Sequence, residues 1–144
     1  MTEGRGIPLA TVLSGANRTD MKKLAALLDA GVVAPPPPVA GDERHLCLDL
    51  GYNYADCRED AAVRGYTVHI PPPRDAPRPI PLPGDPARHP ARRWVVEVAH
   101  SWFNHFRRLL IRWEKKAANY LGFVQLAAVL IIYRKLRHAR APFG

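Results

Sequence analysis

Residues 71–90, "PPPRDAPRPIPLPGDPARHP", hold nine of the fifteen prolines in this 144-residue chain. Proline has no amide hydrogen and fixes φ, so neither a helix interior nor a central strand survives such density. The stretch is expected to be a loop within a domain. A second proline block, "APPPPVAGDE", makes residues 33–43 an extended surface linker. Regular structure is therefore confined to residues 1–32, 44–70 and 91–138, with 139–144 a basic tail.

Each of these pieces carries its own periodicity. "GIPLATVLSGA" (6–16) is apolar with β-branched residues and reads as a buried strand. "NRTDMKKLAALLDAGV" (17–32) reads as a helix, with Thr19 or Asp20 as N-cap and Gly31 as its stop. "RHLCLDLGY" (44–52) reads as a second strand in which Cys47 is a core residue. "YADCREDAAVRG" (54–65) is a short helix closed by Gly65, and "YTVHI" (66–70) is a third, alternating strand. Residues 91–115 wind into an amphipathic helix with Val98, Trp102, Phe106, Leu109 and Trp113 on one face. An apolar helix follows over 117–137. Apolar strands separated by single helices imply an α/β class with a partly parallel sheet. Three short strands are few for a sheet that must cover two long helices.

Charge narrows the partners. The net charge of +8 and pI near 10 favour a polyanion, nucleic acid before anionic membrane. Two cysteines, Cys47 and Cys57, without CxxC spacing give no zinc signature, and His45, His69, His89 and His100 show no ligand spacing. The start of the chain has no apolar signal region, so a cytoplasmic, reducing location is expected. The uncharged run 117–133 is a little short for a span and holds Asn119, Gly122 and Gln125; a buried helix, and no membrane, is the expectation.

Two carboxylates stand out. Asp49 ends a strand ahead of Gly51, and strand C-terminal ends are where α/β sheets gather functional groups. Glu97 is a lone acid on a basic helical face that includes Arg93, His100, Asn104 and Arg108, with Arg107 beside it. The residues alone leave alternatives open: Asp49 can cap a turn, Glu97 can pair with Arg93 four positions earlier, or both can take a hard divalent cation. Asp20, at a helix start, reads as an N-cap rather than a third acid. Trp94, Trp102 and Trp113 fit core and interface roles.

The stretches "GIPLATVLSGANRTDMKKL", "HLCLDLGYNYADCRE", "GYTVHI" and "RRWVVEVAHSWFNHFRRLLIRWEKKAANYLGFVQLAAVLIIYRKL" closely resemble, in that order, the second half of a bacterial insertion-sequence transposase of the DDE group. The resemblance implies an incomplete ribonuclease-H-like domain over residues 1–138: a mixed sheet of few strands packed by helices, two of them long and C-terminal. It implies that Asp49 is the second catalytic aspartate and Glu97 the catalytic glutamate, both ligands of Mg2+ or Mn2+. Arg93 matches an arginine that relatives carry four positions before that glutamate. Arg93, His100, Asn104, Arg107 and Arg108 would then hold double-stranded DNA. The family's first aspartate lies on a strand before "GIPLA", outside these residues. Pro90 stands where relatives have tyrosine and Asn104 where they have lysine. The reaction implied is metal-dependent DNA cleavage and strand transfer, with this chain inactive alone. The alternatives are a non-catalytic DNA-binding remnant, a partner of an upstream transposase segment in a split enzyme, and, distinguished by membrane pelleting, a membrane-associated protein. An oligomer is compatible with all of them.

Overall fold

The computed structural model describes residues 1–15, 17, 19–33, 43–73, 75 and 94–140. The proline-rich stretches at 33–43 and 71–90 lie almost wholly outside the described residues, as do 141–144 of the tail. The chain divides into two compact units, Met1–Leu13 with Ala30–Val33 and Trp94–Gly144, and Ser14–Asp29 with Ala34–Arg93.

The second unit is a small β-α-β arrangement. β1 (Arg44–Cys47) and β2 (Tyr66–His69) pair in parallel, with Arg44 opposite Tyr66 and Cys47 opposite His69. The Leu48 amide extends the ladder to the His69 carbonyl at 2.9 Å. The parallel relation follows from α2 (Ala55–Val63), the crossover that the sequence places between the strands. Alternation aims Leu46 inward and leaves Cys47 exposed, which corrects the expectation of a core Cys47. Among the described residues the sheet consists of these two parallel strands, where a mixed sheet was expected.

A 3-10 turn (Asp20–Lys23) leads into α1 (Leu24–Asp29). Thr19, not Asp20, occupies the N-cap position, and its side chain makes no cap hydrogen bond. Leu24 and Leu28 of α1 and Cys57 and Ala61 of α2, each pair four residues apart, are the buried apolar residues of this unit. Arg64 ties the two helix ends together. Its Nε and Nη2 donate to Asp29 Oδ1 and Oδ2, both at 2.7 Å, and its Nη1 donates to the Asp60 carbonyl at 2.8 Å. This fork-on-carboxylate geometry holds Asp29 below the usual carboxylate range, chiefly through the hydrogen bonds.

Among the described residues of 6–16 the expected strand is absent, and the one ladder contact there is an isolated antiparallel bridge, Thr2 to Pro8. Pro8 cannot donate to a ladder, and the chain instead folds back on itself, with the Leu9 amide bonded to the Met1 carbonyl at 3.0 Å. Glu3 closes the turn by accepting from the amides of Arg5 at 2.7 Å and Ile7 at 3.1 Å.

The expected helix over 91–115 is broken. α3 covers Trp94–Asn104 and α4 only Arg107–Leu110, with Phe106 extended between them. Asn104, His105 and Phe106 are all weak helix formers, and the His105 Nδ1 engages the Ser101 carbonyl at 2.8 Å. Of the expected stripe, Val98, Trp102, Phe106 and Leu109 are half-buried and Trp113 is 71% exposed, while the fully buried residues of α3 are Val95 and Ala99, outside it.

α5 (Ala117–Arg140) is the one long helix of this unit, where two were expected. It packs on α3 and α4. Lys135 Nζ sits 4.0 Å from the centroid of the Trp102 ring, and the Tyr120 hydroxyl donates to the Leu109 carbonyl at 3.2 Å. The expectation that this helix is buried does not hold. Among its described residues only Ala127 and Ile131 are buried, while Leu126, Val129, Leu130, Tyr133 and Leu136 are exposed. By length and composition Ala117–His138 is apolar enough to cross a membrane, a test that core helices of soluble proteins also pass.

Candidate active site

Asp49 lies two residues past the end of β1 and caps the 3-10 turn Leu50–Tyr52. Its backbone is extended (φ −82°, ψ 174°), and its Oδ1 accepts from the Gly51 amide at 2.9 Å. The Tyr52 amide closes on the Asp49 carbonyl at 3.1 Å. This Asx turn orients the carboxyl at the strand end while leaving the residue exposed. A Cβ on residue 51 would stand 3.0 Å from Asp49 Oδ1, so a side chain there would push that oxygen aside by a few tenths of an ångström.

The turn that starts at Asp20 packs on this one. Tyr52 records both acids: burial first, then the charges of Asp20 and Asp49, push its hydroxyl above the usual range. From sequence Asp20 reads as a helix cap rather than a third acid. Its place beside the Asp49 turn depends on the packing of two short turns, which leaves no mark in local periodicity.

Glu97 lies in the first turn of α3, where a carboxylate is favoured by the helix dipole. Glu97, His100 and Asn104 are all exposed and recur at helical spacing, on the side opposite Val95 and Ala99. The polar face drawn from the sequence is thus present on α3. It does not continue as a single face, because Arg107 and Arg108 belong to α4 beyond the break. Arg108 is also engaged: Nη1 lies 3.0 Å from Glu114 Oε1, and the guanidinium lies 5.2 Å from the Phe123 ring centroid. Among the described residues no carboxylate pairs with Arg107. Arg93 lies outside the described residues, as do His89 and Pro90.

Asp49 belongs to one compact unit and Glu97 to the other. Both are exposed carboxylates, the oxygen donors that magnesium and manganese take, and as residue types they fit such an ion. Among the described residues no group of three or more His, Cys, Asp or Glu side chains is arranged to hold a metal.

Residues 1–132 match the family described as the transposase DDE domain. The chain is also 34% identical, over 146 aligned positions, to a putative transposase for insertion sequence element IS402 from Burkholderia cepacia. That alignment covers 96% of this chain and 63% of the relative, so the chain spans less than two-thirds of its length. No solved structure matches.

Proposed function

The chain belongs to the transposase DDE-domain family, and from that premise we propose that it supplies two of the acidic ligands of a DNA-cleaving and strand-transferring centre, Asp49 and Glu97. The observation that carries the reading is the Asp49 turn: an exposed carboxylate just past the end of a parallel strand, oriented by the amide of a glycine whose added Cβ would crowd that same oxygen. A ribonuclease-H-like domain is the fold this reading implies, and double-stranded DNA is the substrate.

Asp49 and Glu97 would hold Mg2+ or Mn2+. Such an ion, when bound, polarises the scissile phosphodiester and activates the attacking oxygen. The chain's own residues bind and orient the DNA. His100 and Asn104 share the exposed side of α3 with Glu97 and offer hydrogen-bond partners to phosphate and sugar. Arg107 offers a full positive charge, and Arg108 does so in competition with Glu114. Arg93 belongs to the same proposal by its position in the sequence. The surrounding net charge of +8 draws a polyanion towards these groups. A DNA substrate places the protein in the cell compartment that holds DNA.

The third acid of the family is not among these residues by the resemblance, so the 144-residue chain alone neither nicks nor joins DNA. A plasmid-nicking and joining assay with Mg2+ or Mn2+ tests this. Activity is expected only when a polypeptide carrying the upstream third of such a transposase is added, and Glu97→Gln abolishes it. Nicking by the chain alone that Glu97→Gln removes would contradict the two-acid reading. DNA binding without activity in any combination would leave a non-catalytic DNA-binding protein.

A further inference from the structure

Trp113, expected on the apolar face of a continuous helix, instead stands exposed in the connection between α4 and α5, with Leu110 and Ile111 exposed beside it. The connection that carries it is tied down on both sides. The Ile111 amide bonds the Arg107 carbonyl at 3.1 Å. Arg112 Nε donates to the Glu114 carbonyl at 3.2 Å, and its guanidinium lies 5.1 Å from the Tyr120 ring centroid. Glu114 Oε1 accepts from Arg108 at 3.0 Å. Both chain neighbours of Trp113 are thus engaged with the protein, and the indole is left to solvent.

Trp113 and Ile111 line one open concavity of about 420 Å3 together with Arg107 and Arg108. That is the size of a small-ligand cleft. Its walls are mixed: a flat aromatic face, an aliphatic side chain and two guanidinium groups. A wholly apolar occupant would strip water from Arg107, which has no carboxylate partner among the described residues. A bare anion would leave the indole and Ile111 uncovered. A nucleotide matches both halves, with a π-face for the indole and a phosphate for the guanidinium. A base stacked within a duplex already has neighbours on both faces, so only an unpaired one can offer its face to Trp113.

We propose that Arg107, Ile111 and Trp113 bind an unpaired nucleotide of the DNA: the indole stacks on the base, Ile111 flanks it, and Arg107 pairs with its phosphate. This rests on DNA as the partner, and adds that the strand is locally unpaired where it meets α4. Arg108, shared with Glu114 and Phe123, borders the site rather than holding the phosphate. Stacking of one base on an aromatic side chain is worth roughly 5- to 150-fold in affinity, and it tolerates any base because every base has a π-face. The site therefore recognises an opened helix, not a sequence.

The experiment compares two duplexes of one sequence, one fully paired and one carrying a single unpaired 2-aminopurine, bound to the full chain in EDTA so that no metal site takes part. Anisotropy reads affinity and 2-aminopurine emission reads stacking, with circular dichroism to check each variant. The chain should prefer the interrupted duplex by roughly 5- to 150-fold and quench its emission. Trp113→Ala, a change at an exposed position, should remove the preference and the quenching while leaving affinity for the paired duplex. Trp113→Phe should retain the preference. Equal affinity for both duplexes, or a preference and quenching that survive Trp113→Ala, would overturn the site. Failure to bind either duplex would overturn the DNA reading on which it rests.

Discussion

Gly51 and Asp49 are locked together: the Gly51 amide donates to Asp49 Oδ1 at 2.9 Å, and a Cβ at Gly51 would meet that same oxygen at 3.0 Å. Gly51→Ala therefore turns the carboxylate away rather than unfolding the domain, because the oxygen is the end of an exposed side chain. Mn2+ affinity should fall roughly 10–100-fold, the usual effect of disturbing a group that orients a ligand. The urea midpoint should move by no more than about 0.5 kcal/mol equivalent. Calorimetric Mn2+ titration beside urea unfolding checks both.

Gly6 has φ +86°, and a Cβ there would stand 3.3 Å from the Trp102 ring. Gly6→Ala meets both the left-handed backbone penalty, about 1–2 kcal/mol, and a clash with a packed indole. The variant should unfold at lower urea, followed by tryptophan fluorescence. Unchanged stability would mean the turn at residues 3–7 is not packed against α3.

The Arg64–Asp29 pair makes a pH-dependent contribution. Asp29 is held below its ordinary value of 3.8 by hydrogen bonds from Arg64. A depressed carboxyl pKa gives stability that is present above the unfolded value and lost as pH falls through the folded one. Arg64→Ala should thus unfold more easily than the parent at neutral pH, and the difference should vanish in strong acid. Asp29 is largely exposed at the pair and Arg64 half-buried, so the neutral-pH difference is close to that of a surface ion pair and is weakened by salt. Urea unfolding of both proteins across the acid range reads it.

For DNA, phosphate contacts release counterions, and each one adds about 0.9 to the slope of log affinity against log salt. Arg107→Ala should reduce that slope by about one contact's worth. Arg108→Ala should do less, because Arg108 is shared with Glu114 and Phe123. Fluorescence anisotropy on a duplex of arbitrary sequence, over a salt series, is the measurement. A salt-independent affinity would contradict a phosphate-binding face.

The parallel pair β1–β2 and its crossover helix were legible because alternation and a glycine stop are local signals, and both strands appear where the pattern put them, shortened. The strand at 6–16 was misread because its apolar run names a burial tendency, not a partner, and Pro8 removes a ladder donor at its start. The helix over 91–115 looked continuous because its apolar spacing crosses 104–106 without interruption, whereas weak propensity there breaks the backbone. α5 was expected to be buried for the same reason that strand was misplaced: Leu126, Val129 and Leu136 are apolar whatever covers them. Asp49 and Glu97 came from the resemblance and the strand-end argument. The contact of His45 Nδ1 with His69 Nε2 at 2.8 Å could not be seen, since 24 residues separate the rings and only the parallel register joins them.

Asp49 and Glu97 are proposed to serve one metal. Backbone amide NMR of the full chain during a Mn2+ titration tests it most directly, because the paramagnetic ion broadens only signals near it. The amides around Gly51 and those around Glu97 should broaden together at the same Mn2+ concentration, and Asp49→Asn should relieve both. Broadening around Gly51 that leaves the start of α3 sharp, or that Asp49→Asn relieves at one place alone, would contradict it.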